Sequence, residues 1–258
     1  MTAYQTILLE KKDKVATIWL NRPEKRNAVN EQMIGELIHA VTEINRDDRQ
    51  RLILLRGKGK SFSSGADLDM MKNIDETGDE RPGGVKNQLS RCLETLYQSG
   101  KPVIGVAHGS VFGGANGILA VCDIVLADIK TIFSFSEVKI GLIPAVISPF
   151  VIKRIGEFHA RDFMLTGRKL SATEAESSGL INRALPPDLL DKYLNELITN
   201  ILDASPAAVK KCKSLIDQVV NRWTFMEAKS ETEKWIREIR ATEDAQQRIR
   251  SFLDKKKG

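Results

Sequence analysis

A glutamate, Glu137, closes the short segment Phe133-Ser134-Phe135-Ser136 and is followed by Val138. Apolar neighbours disfavour a carboxylate's charge and move its pKa toward neutrality, so an acid in this position is a candidate for proton transfer. Upstream, His108-Gly109-Ser110-Val111-Phe112-Gly113-Gly114-Ala115-Asn116-Gly117 carries four glycines in the nine residues from Gly109. It lies between two apolar runs, Val103 to Ala107 and Ile118 to Cys122. A strand, a glycine-rich turn and a helix that starts on glycines present backbone N–H groups to a ligand oxygen, with no side chain to hold the ligand off. A second crowding of small residues, Ser61-Phe62-Ser63-Ser64-Gly65-Ala66-Asp67-Leu68-Asp69-Met70, follows the loop Gly57-Lys58-Gly59-Lys60 and offers a second set of free N–H groups. Two junctions that each aim one N–H at the same oxygen form an oxyanion hole. Plainer readings stay open on these residues alone. Glycine-rich turns also occur where a helix packs close to a sheet, and a glutamate at a strand end is commonly just solvated.

These groups need elements to hold them. Val103 to Ala107, Ile124 to Ala127 and the arginine-flanked run Arg51 to Arg56 read as buried strands of a sheet covered on both faces. Tyr4 to Glu10 and Lys14 to Leu20 alternate as a hairpin around Lys11-Lys12-Asp13. Asn21 to Ala28 is a turn by its proline and asparagines, and Asn30 caps a helix over Glu31 to Ile44 with apolar residues at helical spacing. Toward the C-terminus, Leu189 to Ile201, Ala207 to Val220, Phe225 to Ile239 and Asp244 to Leu253 read as helices.

Composition narrows the classes. With 258 residues, 42% hydrophobic and 28% charged, the chain has the make-up of a globular protein with a sizeable core. The net charge of +5 is scattered, and aromatics do not interleave with the cations as a nucleic-acid stacking platform requires. The same balance suits small phosphorylated ligands. No apolar run is long enough to cross a membrane, and Met1-Thr2-Ala3-Tyr4 does not open a signal peptide, so a cytoplasmic protein is expected. Cys92, Cys122 and Cys212 are odd in number and far apart, which argues for reduced packing residues rather than a disulfide framework or zinc site.

Asn21-Arg22-Pro23 with Asn27-Ala28, then Phe62 to Leu68, then Gly109 with Phe112-Gly113-Gly114-Ala115, then Cys122-Asp123-Ile124 resemble, in that order and spacing, the crotonase (enoyl-CoA hydratase/isomerase) superfamily. The resemblance covers nearly the whole chain. It implies an α/β fold: a spiral of ββα turns packed as two roughly perpendicular sheets over residues 1–200, which carries a CoA-thioester site. Residues 201–258 are then a helical region that mediates a trimer or a pair of stacked trimers. The implied chemistry is enolate stabilisation, with the amides of Ala66 and Gly114 donating to the thioester oxygen. Ser64, Gly65, Asp67, Leu68 and Asp69 would line the site beside the first amide, and Gly113, Asn116 and Gly117 beside the second. Lys25, Arg26 and Ala28 match the segment that borders the CoA nucleotide, and Phe252 and Lys255 resemble residues that approach its adenine, sometimes from a neighbouring subunit. The expected partner is a small acyl-CoA, with no nucleic acid or membrane. CoA enters as part of the substrate, and no covalent nucleophile, metal or redox cofactor is implied.

The chain also departs from the family pattern. Two-acid hydratases carry a glutamate where this sequence has Gly117, so Glu137 is left to do the proton work. A single acid is also the pattern of Δ3,Δ2-enoyl-CoA isomerases. The segment Pro144-Ala145-Val146-Ile147-Ser148-Pro149, in place of a glycine-rich continuation, looks like bacterial hydratases of branched glutaconyl-CoA thioesters such as 3-methylglutaconyl-CoA. Such a substrate has a distal carboxylate, for which Lys72, Lys139 and Asn116 are candidates by proximity in sequence. A thioester decarboxylase and a non-catalytic binding protein on the same scaffold are the readings from other classes. His108 and His159 read as structural or surface residues, and Asp123 as a strand-start partner.

Overall fold

The computed structural model describes residues 4–67 and 85–255. Strands β1 (Ile7–Lys12) and β2 (Val15–Leu20) form the hairpin, antiparallel from Ile7 opposite Leu20 to Lys12 opposite Val15. The hairpin starts later than Tyr4 because the N–H groups of Gln5, Thr6 and Ile7 all donate to the Glu36 carboxylate. That carboxylate belongs to α1 (Glu31–Arg46), capped by Asn30, whose side chain accepts from the Met33 N–H as its spacing predicts.

Next in chain order come β3 (Leu52–Gly57), α2 (Val85–Tyr97), β4 (Val103–Ala107), β5 (Ser110–Phe112), α3 (Gly114–Ala120), β6 (Ile124–Asp128) and β7 (Ile132–Ser134). They are followed by α4 (Ser148–Thr166), β8 (Lys169–Ser171), α5 (Ala172–Ser177), β9 (Arg183–Leu185) and α6 (Pro187–Asp203). Three more helices end the chain: α7 (Pro206–Asn221), α8 (Phe225–Arg240) and α9 (Glu243–Lys255).

Six strands form one sheet in the order β1-β2-β3-β4-β6-β9, parallel from β2 onward, and β5-β7-β8 form a second, smaller one. The large sheet is covered on both faces, as the unbroken apolar run of β3 requires. Ile53 and Leu55 join the main core with Met33, Leu37 and Val41 of α1, whereas Leu52 and Leu54 meet Leu190 and Leu194 of α6 on the other side.

In a parallel sheet the carboxyl ends of the strands all lie at one edge, and ligands bind in the crevice outside them. Here that edge carries the turn Asn21 to Ala28 after β2, the loop from Lys58 after β3, and the glycine-rich turn after β4. At the opposite edge the C-terminal helices attach: Lys213 pairs with Asp123 at 2.7 Å, and Arg51 donates to the Ala204 carbonyl at 2.8 Å. Helices α7 and α8 bury no residue, and Ile216, Val220, Phe225, Met226 and Ile236 are exposed on them. Among the described residues no helix is long and apolar enough to cross a membrane.

Candidate active site

The glycine-rich segment is a strand and a turn rather than a turn alone. Ser110 to Phe112 pair in parallel with Ile132 to Ser134, and Ser63 bridges to Val111. Gly113 then takes φ 51° and ψ −129°, a conformation open to glycine, while its N–H donates to the Ser134 carbonyl. Helix α3 starts at the next residue. Among the described residues the Gly114 N–H meets no protein acceptor, and no heavy atom stands within 4 Å of where a Gly114 Cβ would be.

The second junction reaches the same place through main-chain contacts. Ser63 N–H donates to Ser110 O and Phe112 N–H to Ser63 O, and a Cβ on Gly65, itself at φ 96°, would stand 2.8 Å from the Phe112 carbonyl oxygen. Val29 N–H donates to Gly65 O and Asp67 N–H to Val29 O, which is a parallel bridge between Val29 and Ala66. Because a strand's backbone groups alternate in direction, the Ala66 N–H points away from Val29, and no acceptor takes it among the described residues. Among the described residues the two amides expected to form an oxyanion hole thus meet no protein acceptor, and they lie on two segments in backbone contact.

Behind Ala66 the Asp67 carboxylate pairs with Arg22 at 2.7 Å, both side chains being largely buried, and Arg22 also donates to the Ala28 carbonyl at 2.6 Å. Asn27, fully buried at φ 55°, accepts from the Arg22 N–H and donates to Lys58 O and Ser61 O. Ser64 N–H donates to the Arg26 carbonyl. The exposed cations of Lys25 and Arg26 are therefore carried next to the Ser64 to Ala66 segment.

Glu137 sits in the 3-10 turn Ser136–Ile140, not at a strand end, since β7 stops at Ser134. One carboxylate oxygen, Oε2, is buried without a hydrogen-bond partner among the described residues. Burial pushes the Glu137 pKa up, and its own backbone N–H offsets part of that. The carboxyl lies over Gly113, with Oε1 3.4 Å from where a Cβ would stand.

Gly117 is buried on α3, and the space beside it is filled by Ile147, whose Cγ2 would stand 2.2 Å from an added Cβ. Asn116 is fully buried and uses its N–H donors on Gly113 O and Ser134 O, so it braces the glycine turn. That geometry does not support it as the partner of a substrate carboxylate. Lys139 is exposed, two residues beyond Glu137. Leu68, Asp69 and Lys72 lie outside the described residues. Phe252 and Lys255 lie on α9, whose Arg248 donates to the Asp203 carbonyl beside the strand starts, so within one chain α9 attaches at the edge opposite the two junctions. His108 meets the loop after β3: its Nε2 lies 2.9 Å from the Gly59 carbonyl. His159 is half-buried against Phe158 and Phe163, and Asp123 accepts from the Val103 N–H at the start of β4.

Sequence reasoning assigned no role to Arg22, Asn27 or Ile147. An asparagine in a turn is a signal for a left-handed position, but the reach of Arg22 to Asp67 and of Ile147 to Gly117 is set by the tertiary fold.

Comparison with known proteins gives the family. The family model described as enoyl-CoA hydratase/isomerase matches residues 10–258. The chain belongs to the enoyl-CoA hydratase/isomerase family. It is 31% identical to a putative enoyl-CoA hydratase of Thermus thermophilus, over 95% of this chain and 96% of that one. It is likewise 31% identical to a short-chain-enoyl-CoA hydratase of Clostridium acetobutylicum, over 97% and 95%. Among solved structures, an enoyl-CoA hydratase from Shewanella pealeana superposes with a TM-score of 0.93 at 32% identity, covering 98% of this chain and 94% of the other. A crotonase-type protein from Legionella pneumophila gives 0.90 at 34%, covering 98% of each. The α/β architecture with two sheets is that of the crotonase family, and the protein is an enzyme of that family.

Proposed function

We propose that this enzyme is a hydratase of 2-enoyl-CoA thioesters, with Glu137 as its acid and base and the Ala66 and Gly114 amides as its oxyanion hole. The observation that carries the reading is the half-buried Glu137 carboxyl, whose Oε2 has no hydrogen-bond partner among the described residues, lying over Gly113, one residue before the Gly114 amide. As negative charge develops on the thioester oxygen, each preorganised donor contributes about 3 kcal/mol. Water adds across the double bond: its oxygen bonds the β-carbon, one of its protons passes to Glu137, and a proton from Glu137 reaches the α-carbon. Atoms balance with one water consumed.

The substrate proposed is a branched glutaconyl-CoA such as 3-methylglutaconyl-CoA, on the strength of the Pro144 to Pro149 segment. Lys25 and Arg26 serve the nucleotide phosphates, with Ala28 beside them, because cations on the Ser64 side of the crevice suit phosphate oxygens. The exposed apolar residues of α7 and α8 support a homotrimer or dimer of trimers. In such an assembly Phe252 and Lys255 would reach the nucleotide of a neighbouring subunit.

The filled space beside Gly117 favours a second reading, a Δ3,Δ2-enoyl-CoA isomerase in which Glu137 moves one proton between two carbons. Absorbance of the conjugated thioester separates the two. Loss of conjugation with 3-methylglutaconyl-CoA or crotonyl-CoA, abolished in Glu137→Gln, supports the hydratase. A gain with a trans-3-enoyl-CoA alone makes the enzyme an isomerase.

A further inference from the structure

Gly113, the non-helical residue before α3, and Gly117, about one turn inside it, have no side chain of their own to fill the space beside them. Side chains from the next segments fill it instead. Glu137 covers Gly113, and Ile147 covers Gly117 about one turn, roughly 5.4 Å, further in. The second contact is much the tighter: Ile147 Cγ2 would stand 2.2 Å, and its Cβ 2.7 Å, from a Cβ at position 117. Non-bonded carbons do not approach so closely, so no side chain fits there while Ile147 keeps its place.

Ile147 is fixed. It is 2% exposed, and its carbonyl accepts from the N–H groups of Phe150 and Val151 at the start of α4. Swinging it aside would mean unwinding the first turn of α4. The glycine at 117 and the isoleucine at 147 are therefore one exchange of volume between two helices, not two separate departures in sequence.

We propose that Ile147 is a specificity-determining residue, plugging the wall of the site one turn inside Glu137 so that no second acid can act from α3 and the reacting carbons meet one carboxyl from this side. The proposal rests on the placement of the reaction at Glu137 and Gly114. With the plug in place, water loses a proton to the same group that protonates the α-carbon, in succession. With the plug removed and a carboxyl supplied, two groups share those tasks.

The test uses Ile147→Gly, Gly117→Glu and the double variant of the full-length protein, with crotonyl-CoA hydration, melting temperature and the pH profile of kcat/KM as readouts. Gly117→Glu alone should melt about 5 °C or more below the parent. The double variant should melt near Ile147→Gly, hydrate crotonyl-CoA at least about tenfold faster than Ile147→Gly, and show one more ionisation in its profile, as a second acid–base group supplies. Parent-like melting of Gly117→Glu, or a double variant no faster than Ile147→Gly with an unchanged profile, overturns the proposal. Gly117→Ala, compared in the parent and in Ile147→Gly, covers the case of a double variant that does not fold. A loss of melting temperature in the parent that vanishes in Ile147→Gly supports the plug, and equal losses in both overturn it. Failure of the active-site assignment shows separately, as unchanged turnover in Glu137→Gln with the melting comparison intact.

Discussion

The Glu137 carboxyl lies against Gly113, its Oε1 3.4 Å from the point where a side chain at 113 would begin. The acid thus stands at van der Waals distance from the turn that starts α3, where the Gly114 amide meets no protein acceptor among the described residues.

Replacing the acid should therefore remove turnover without disturbing the fold. Glu137→Gln keeps the side-chain shape, and kcat with an enoyl-CoA should fall by about 100-fold to 10,000-fold, the range for a lost general acid or base. Far-UV circular dichroism should match the parent. Retained activity would point to a thioester decarboxylase, which needs the oxyanion hole but not this acid.

Burial raises the Glu137 pKa in the folded state, so the folded protein holds that proton more tightly than the unfolded chain does. Stability then falls as pH rises from the ordinary glutamate value through the folded one, and the penalty is fully present above it. Glu137→Gln should melt higher than the parent at pH 8, and the difference should close below about pH 4, where both states of the acid are protonated. A constant difference across that range would show that the carboxyl's charge is not the cause.

Gly114 gives a different outcome from its neighbour. Among the described residues a Cβ there meets nothing within 4 Å, so Gly114→Val has room within the protein and would project into the space proposed for the ligand. Its melting temperature should stay within about 4 °C of the parent, since a surface-like substitution is worth about 1 kcal/mol. Turnover should be lost. Wild-type kcat in a folded Gly114→Val protein would move the oxyanion hole elsewhere.

The Arg22 and Asp67 pair holds the strand that carries Ala66. Asp67→Ala leaves the Arg22 guanidinium, largely buried, without its 2.7 Å partner, a loss of about 3 to 5 kcal/mol. A drop of about 10 °C in melting temperature is expected, together with a lower kcat from a less ordered Ala66 amide. An unchanged melting curve would show that the pair is not what fixes this strand.

Cysteine reactivity checks the packing independently. Burial pushes the thiols of Cys92 and Cys122 up to about 12, whereas Cys212 is exposed. Iodoacetamide on the native protein should modify Cys212 alone, and the other two only after unfolding. Labelling of Cys122 in the native protein would contradict its place under α3.

Much of this arrangement is legible in the chain before it folds, where the signal is local. Asn30 and the spacing from Met33 to Ile44 define α1, which runs two residues past its expected end to Arg46. The four C-terminal helices fall within a few residues of their periodicity. The two glycine-rich junctions announce themselves by composition. The short strands β5, β8 and β9, of three residues each, do not, because such runs carry no period and exist only through their partners. Glu137 is read as the acid, but its place in a 3-10 turn depends on where β7 loses its pairing. The match of Gly117 with Ile147 joins residues thirty positions apart, and no pattern within either segment reveals it.

The two junctions cross with almost nothing between them but main chain. A Cβ on Gly109 would stand 2.0 Å from the Lys60 carbonyl oxygen, and one on Gly65 2.8 Å from that of Phe112. The two segments that carry the Ala66 and Gly114 amides are consequently held to each other by main-chain contacts rather than by side chains. Sequence drift at the exposed Lys60 can alter charge and solubility there without touching those main-chain contacts.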